Sequence, residues 1–260
     1  MRPSVLFLLC TAFAASPAFA DEDNWSIVRE ALFEGREIRD GSSFLQLEAP
    51  VRALDAAVVP VRIAVDPEHA PRIRTLWLVI DENPAPVAGV FHFFPKSGAP
   101  LLETRVRVNA YTDIRAIVED EKGTLYMASR FVKAAGGCSA PALKDKEVAM
   151  ARLGKMKFKL TTPFSVGKPA VAKLKIAHPN YTGLQIDQYT RQWIPPDYVT
   201  KVEVTFESEP VLEVEGDISL SEDPTFLFGF VPDRPGELQV RVVDSSERVF
   251  ERSWTLGPAS

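Results

Sequence analysis

Short segments in which apolar and polar residues alternate recur along most of this chain. The clearest is Val59–Val65, where every second residue is valine or isoleucine, and Phe226–Phe230 repeats the pattern with three phenylalanines. A period of two places successive side chains on opposite faces of a β-strand, so that one face can be buried. The 21 prolines and 14 glycines among the 260 residues supply turns between such segments. The sequence therefore predicts an all-β protein.

The predicted strands fall into two groups of about seven, with turns at the spacing typical of β-sandwiches. Between the groups, Pro141–Lys155 reads PALKDKEVAMARLGK. Proline suits the first turn of a helix and Gly154 suits its end, which predicts a helix over Ala142–Leu153. We therefore expect two sandwiches in tandem, residues 21–137 and 155–260, joined by a glycine-rich, partly helical linker over residues 138–154. A shorter helix is expected in the stretch NWSIVREALFEGREI, with Trp25 as its first apolar residue and Gly35 closing it.

The first 20 residues, MRPSVLFLLCTAFAASPAFA, have the organisation of a secretory signal peptide. Arg2 precedes an apolar run from Val5 to Ala15, and Ala18-Phe19-Ala20 forms a cleavage motif of small residues. The apolar run is too short to span a bilayer as a permanent helix. We expect cleavage after residue 20, no membrane segment beyond it, and a location in the bacterial periplasm.

Charge and motif content exclude several classes of function. The chain carries a net charge of −5, and loss of Arg2 with the leader adds one more negative charge. This disfavours nucleic acids and anionic membranes as partners and is compatible with a basic protein partner. His69, His92 and His178 lie far apart without ligand spacing, so no metal site is expected. Neither a cofactor-binding motif nor a set of catalytic residues is evident, and His178 is expected to form a structural hydrogen bond.

The strongest chemical candidate is Cys138, in the segment KAAGGCSAP (Lys133–Pro141). Because Cys10 leaves with the signal peptide, Cys138 is the one thiol of the mature chain and has no internal disulfide partner. Gly136, Gly137 and Ser139 add little bulk, so we interpret them as a flexible arm that exposes the sulfur. A thiolate can hold a transferred group covalently, and Lys133 and Lys144 are the nearest basic residues in sequence. Pairing of two Cys138 thiols would also allow a homodimer.

Several motifs resemble a known family. The sequence GGC at Gly136–Cys138 resembles the sulfur-carrier arm of SoxY in the Sox thiosulfate-oxidation system. The stretches IAHPNYTGLQID (Ile176–Asp187), WIPPDYV (Trp193–Val199) and ISLSEDPTFLFGFVP (Ile218–Pro232) resemble its partner SoxZ. The fused order is most similar to SoxYZ-like carriers associated with quinoprotein dehydrogenases. One difference is that SoxY usually ends in GGCGG on a free tail, whereas Ser139-Ala140-Pro141 follow here.

The resemblance implies two immunoglobulin-like sandwiches and a non-catalytic periplasmic carrier. It implies that Cys138 holds a small, sulfur-containing intermediate for partner oxidoreductases: a quinoprotein dehydrogenase, a c-type cytochrome or Sox-like enzymes. The alternative is an accessory or docking subunit of a quinoprotein dehydrogenase system, in which the cysteine is dispensable. A thiol enzyme would need a histidine beside Cys138, and the glycine-rich segment makes a rigid pair of this kind improbable.

Overall fold

The computed structural model describes residues 23–141 and 146–258, which form two β-sheets around a shared apolar core. The signal peptide predicted over residues 1–20 lies outside the described residues. Fifteen strands are numbered β1–β15 in chain order. The strands of the larger sheet are β1 (Ile38–Asp40), β4 (Ile73–Ile80), β5 (Val87–Phe93), β7 (Thr112–Asp120), β8 (Leu125–Val132), β11 (Val199–Phe206), β12 (Glu209–Gly216), β14 (Gly236–Asp244) and β15 (Val249–Leu256).

The second sheet has six strands. These are β2 (Leu45–Glu48), β3 (Val59–Val65), β6 (Leu101–Val106), β9 (Met156–Leu160), β10 (Ala170–Ile176) and β13 (Thr225–Phe230). Their spatial order is β2-β3-β6-β13-β10-β9, and the nine-stranded order is β1-β8-β7-β4-β5-β12-β11-β14-β15. Apart from the parallel pair β1 and β8, all neighbouring strands within these described sheets are antiparallel.

Burial follows the alternation of the sequence. In Val59–Val65 the valine and isoleucine side chains are buried, whereas Pro60 and Arg62 are exposed. Phe226, Phe228 and Phe230 likewise enter the core, since every second residue of β13 faces inward. The predicted fold class is confirmed: the chain consists of two immunoglobulin-like β-sandwiches in tandem.

The two sandwiches share both sheets. Strand β5 of the first half pairs with β12 of the second, from Phe93 opposite Leu212 to Gly89 opposite Gly216. On the other layer, β6 pairs with β13. Pairing closes the inner edge of each half and buries one continuous core, because backbone groups at a sheet edge require hydrogen-bond partners.

Two α-helices accompany the sheets. Helix α1 (Asn24–Phe33) begins after Asp23, whose carboxylate accepts from the Ser26 amide, and buries Phe33 against Trp77. Helix α2 (Lys146–Met150) is shorter than the helix predicted over residues 142–153, of which residues 142–145 lie outside the described range. Turns follow Met150 up to Gly154, which has a φ of +73°. Among the described residues, neither helix has the length and apolar character needed to cross a membrane.

Candidate functional site

Cys138 is buried in the folded protein. It follows β8 in a turn, its residue surface is 0% exposed, and its thiol is free. The expectation that the sulfur is displayed on an uncrowded arm is therefore wrong for this conformation. Small neighbouring side chains do not keep a segment away from the core; here they allow it to lie close to other backbone.

The two glycines give the segment a defined path. Gly136 has a φ of +77°, a region that glycine adopts readily, and its amide donates to the Asn109 carbonyl oxygen at 2.8 Å. Gly137 donates to the Val108 carbonyl oxygen at 2.9 Å, and a Cβ built on it would lie 2.1 Å from the Ala56 carbonyl oxygen. Gly136 and Gly137, predicted to be a flexible arm, are thus required for a turn and a close backbone approach.

Ser139 differs from its neighbours because its side chain is exposed. Its hydroxyl lies 3.4 Å from the Gly136 carbonyl oxygen, within the same turn. The segment therefore reaches the surface one residue after the buried sulfur, although the sulfur itself does not.

Side chains from the second half hold the cysteine segment in place. The Thr182 hydroxyl donates to the Cys138 carbonyl oxygen at 2.6 Å, and the Gln185 side-chain Nε2 donates to the Ala140 carbonyl oxygen at 2.8 Å. Thr182 and Gln185 are themselves connected, since the Thr182 amide donates to the Gln185 side-chain oxygen at 3.1 Å. Both lie in the loop between β10 and β11, so the cysteine segment is bound at the junction between the two halves.

Arg107 lies beneath this segment and contacts both halves. Its guanidinium donates to the Gly137 carbonyl oxygen at 3.1 Å and to the Asn180 carbonyl oxygen at 3.3 Å. The residue is only 1% exposed, and its Nε has no hydrogen-bond acceptor among the described residues. Alternation along β6 would have placed Arg107 on the polar face with Arg105, but the strand ends at Val106 and the chain then turns inward.

Further polar side chains complete the junction. Asn83 donates to the Arg107 carbonyl oxygen at 2.7 Å and to the Ser219 hydroxyl at 2.9 Å. The Ser221 hydroxyl donates to the Ala57 carbonyl oxygen at 2.7 Å. The bonds to Ser219 and from Ser221 connect residues more than 130 positions apart in sequence and fix the loops of the second half against the first.

Burial controls the chemistry of the thiol. It raises the pKa of Cys138 to about 11, and the positive charge of Arg107 opposes this only in part. A thiol with this pKa is overwhelmingly protonated at neutral pH, and the thiolate is the reactive form. No His, Asp or Glu side chain among the described residues hydrogen-bonds to Cys138 Sγ. In the described conformation the cysteine is therefore inert.

His178 forms the structural hydrogen bonds expected of it. Its Nδ1 accepts from the Asn180 amide at 3.1 Å, which leaves Nε2 to donate to Asp244 Oδ2 at 3.4 Å. One potential metal-ligand atom from each of His178, Asp197 and Asp244 lies within 4.8 Å of the other two, a spacing that could hold a metal ion. However, Arg248 pairs with both carboxylates, with its Nε 2.7 Å from Asp244 Oδ2. The cluster is an ion-pair network whose cation is already present.

Arg107, Thr182 and Gln185 are site residues that were not predicted from the sequence. Thr182 and Gln185 lie within IAHPNYTGLQID, a stretch used only as a family signature, and nothing in it indicates a contact 44 residues away. Arg107 continues the alternation of apolar and polar residues along β6, and this pattern predicts an exposed side chain rather than a buried one. Among the described residues, Arg107 is the basic residue whose charge acts on the Cys138 thiol. Lys133 is exposed, and Lys144 lies outside the described residues.

Comparison with known families agrees with this two-part architecture. Residues 29–138 match the family of the sulfur oxidation protein SoxY, a match that ends at Cys138, and residues 159–255 match the family of the sulphur oxidation protein SoxZ. The chain is a SoxYZ fusion. The first half is its SoxY domain and the second half its SoxZ domain. No curated protein matches the chain.

Solved structures include two partial likenesses. The sulfur carrier protein SoxY from Chlorobium limicola f thiosulfatophilum is 25% identical, with a TM-score of 0.37, and the match covers 43% of this chain and 91% of that one. A superoxide reductase (neelaredoxin) from Ignicoccus hospitalis is 22% identical, with a TM-score of 0.31, over 35% of this chain and 78% of that one.

Proposed function

We propose that this SoxYZ fusion is a periplasmic carrier that holds a small, sulfur-containing intermediate covalently on Cys138 and presents it to partner oxidoreductases. The observation that carries the proposal is the position of Cys138: it ends the SoxY domain and is bound there by the SoxZ domain. Membership of two sulfur-oxidation families supports a sulfur cargo. Within the described parts of the chain no general base hydrogen-bonds to the sulfur, which supports carriage without catalysis, since a carrier relies on its partners for chemistry.

Loading requires an oxidising partner if the cargo is joined through a sulfur–sulfur bond. The thiol proton leaves, the new bond forms between Sγ and the terminal sulfur of the cargo, and two electrons pass to the acceptor. A c-type cytochrome or a quinoprotein dehydrogenase belongs to the right chemical class. This requirement supports oxidoreductases as partners.

Burial of the sulfur adds a step to this function. Residues 136–141 must leave their site before another protein can reach Cys138, because the sulfur is enclosed and protonated. The bonds that must break include those from Thr182 and Gln185, the bond from Arg107 to the Gly137 carbonyl oxygen, and the backbone amide bonds of Gly136 and Gly137. Each contributes on the order of 1 kcal/mol, and none of them belongs to a strand pair, so release of the segment is a local opening that leaves the sandwiches folded.

The second candidate function is an accessory or docking subunit of a quinoprotein dehydrogenase system, in which Cys138 only packs. The enclosed sulfur and its raised pKa favour this candidate. Cys138→Ser distinguishes the two, since a carrier loses all function in the pathway and a docking subunit keeps it. Because the site is buried, Cys138→Ala and a thermal unfolding curve of both variants are needed to exclude loss of folding.

The direct test is the mass of the protein purified from its host without reductant, while the pathway is active. We expect a covalent adduct that maps to Cys138 and disappears on reduction. Free thiol in all molecules, under conditions in which the host oxidises its substrate, would contradict carriage and leave the docking function.

A further inference from the structure

Four lysines form a rectangle on the outer face of the six-stranded sheet, within the SoxZ domain. Lys157 and Lys159 lie on β9, and Lys173 and Lys175 lie on β10. The antiparallel register places Lys159 directly opposite Lys173, and Lys157 directly opposite Lys175. These four residues are called the lysine square.

The charges of the lysine square are largely uncompensated. Lys175 lies 3.4 Å from Asp223, but Arg152 binds the same carboxylate at 2.7 Å. Lys157, Lys159 and Lys173 are exposed, and none forms an ion pair with an acidic side chain within the described part of the chain. The protein as a whole is acidic, with a net charge of −5, so its overall composition does not account for this local excess of positive charge.

The SoxY side of the same sheet face is neutralised. There Arg62 on β3 pairs with Glu103 on β6. Moving across the sheet, Leu227 follows on β13 and the lysines begin with Lys173. Positive charge is thus concentrated at the SoxZ end of the face.

All four lysines of the square also line a groove that contains further basic residues. It has a volume of about 800 Å³ and runs beside the edge strand β9. Phe158 and Trp254 line it, with ring centroids 5.3 Å apart, and Arg252 lies over the Trp254 ring. Lys155 and Arg152 are further basic residues of its lining. The surface therefore combines positive charge with accessible aromatic area, a combination found at protein interfaces.

Protection of a sheet edge does not explain the arrangement. Lysines on an exposed edge strand discourage unwanted pairing, which accounts for Lys157 and Lys159 on β9. Strand β10 is paired on both sides, with β13 and β9, so Lys173 and Lys175 protect no edge. Like charges directly opposite each other destabilise a sheet, and two such pairs stand side by side here.

We propose that the lysine square docks an acidic patch on the surface of a partner protein. The lysine square covers two neighbouring strands and shares its groove with aromatic and further basic side chains, which suits several carboxylates spread over a protein surface better than one small anion. Strand β10 continues from Lys175 into the loop that carries Thr182, whose hydroxyl binds the Cys138 carbonyl oxygen. The docking surface therefore belongs to the same domain as the loop that binds the cysteine segment, although docking does not depend on carriage by Cys138.

The first experiment measures binding of fluorescent poly-L-glutamate to the full chain by anisotropy. Lys157→Glu/Lys173→Glu reverses one lysine of each cross-strand pair. The matched control, Lys122→Glu/Arg130→Glu, makes the same change in net charge at exposed positions of the SoxY domain. We expect binding at least tenfold weaker for the first variant and less than twofold weaker for the control. Equal weakening in both, or none in the first, would overturn the proposal.

Two further measurements assign the class of partner. Vesicles of phosphatidylglycerol and a 20-nucleotide single-stranded DNA serve as competing probes. If Lys157→Glu/Lys173→Glu loses more binding to either of these than to poly-L-glutamate, a protein partner is contradicted.

Carbodiimide cross-linking in a soluble extract of the host should join the lysine square to carboxylates of one protein, and 0.5 M NaCl should abolish it because salt screens such contacts. Cross-links spread evenly over all exposed lysines would refute docking. Cys138→Ser should cross-link like the wild type, so a failure of carriage is separable from a failure of docking.

Discussion

Arg107 and Cys138 are adjacent in space although they lie 31 positions apart in sequence: the guanidinium donates to the carbonyl oxygen of the residue before the cysteine, at 3.1 Å. The same guanidinium donates to Asn180 in the SoxZ domain. One buried cation thus fixes the end of the SoxY domain to its partner domain, and its charge acts on the thiol.

Arg107→Met should destabilise the protein by about 2–4 kcal/mol, because it leaves two buried carbonyl oxygens without donors. Arg62→Met, which breaks an exposed ion pair with Glu103, should cost less than about 1 kcal/mol. Urea unfolding curves measure both values. Equal, small effects would show that Arg107 contributes little to the junction.

Gly137→Ala should release the cysteine segment. The added Cβ would lie 2.1 Å from the Ala56 carbonyl oxygen, so the chain must move. Gly136→Ala is the matched control, since nothing lies within 4 Å of its added Cβ and only the φ of +77° is unfavourable. We expect Ellman's reagent to modify Cys138 at least tenfold faster in Gly137→Ala than in Gly136→Ala under native conditions. Unchanged reactivity would mean that burial of the sulfur does not depend on this close approach.

The raised pKa of Cys138 predicts a loss of stability in alkaline solution. Burial raises the pKa from 9.0 to about 11, so the unfolded chain ionises first as pH rises. The stabilisation is fully present below pH 9 and is lost progressively up to about pH 11, by roughly 2–3 kcal/mol. Cys138→Ala lacks this titration, so the difference in unfolding free energy between the two proteins should change over that range. A constant difference would show that the thiol is not buried in solution.

Alternation of apolar and polar residues was sufficient to predict the sandwich strands, because each strand has one buried face. The pattern of Val59–Val65 and of Phe226–Phe230 appears unchanged in the structure. The pairing of β5 with β12, which joins the two halves into one sheet, was not predictable. An edge strand and a strand paired on both sides show the same alternation of apolar and polar residues.

The cysteine shows where local composition misleads. Gly136 and Gly137 look like flexibility in a sequence, yet glycine also allows a positive φ and a close approach of backbones. Which role applies depends on Ala56, Val108 and Thr182, which are distant in sequence. The candidate residue was therefore predictable, and its environment was not.

The lowered pKa of His178 predicts a loss of stability in acidic solution. Burial is the main influence and lowers the pKa of His178, although Asp197 and Asp244 oppose it. The unfolded chain therefore takes up a proton first as pH falls through about 6.5, and stability declines from there. His178→Gln should lose less stability than the wild type between pH 7 and pH 5 in thermal unfolding. If the stability of both proteins declines equally over this range, His178 is not the cause of the decline.

Repulsion between the ammonium groups of the lysine square predicts that reversing two of the four charges stabilises the fold. Lys157→Glu/Lys173→Glu places a carboxylate opposite Lys175 and another opposite Lys159, so both like-charge pairs become opposite-charge pairs. Cross-strand pairs of opposite charge contribute roughly 0.2–1 kcal/mol each, and the like-charge penalty is removed as well. The variant should therefore unfold at a higher temperature than the wild type in low salt, by a margin that shrinks in 0.5 M NaCl as screening increases. Stability gained together with binding lost is the pattern expected of residues kept for interaction rather than for folding. A lower unfolding temperature in low salt would mean that the four ammonium groups do not repel one another.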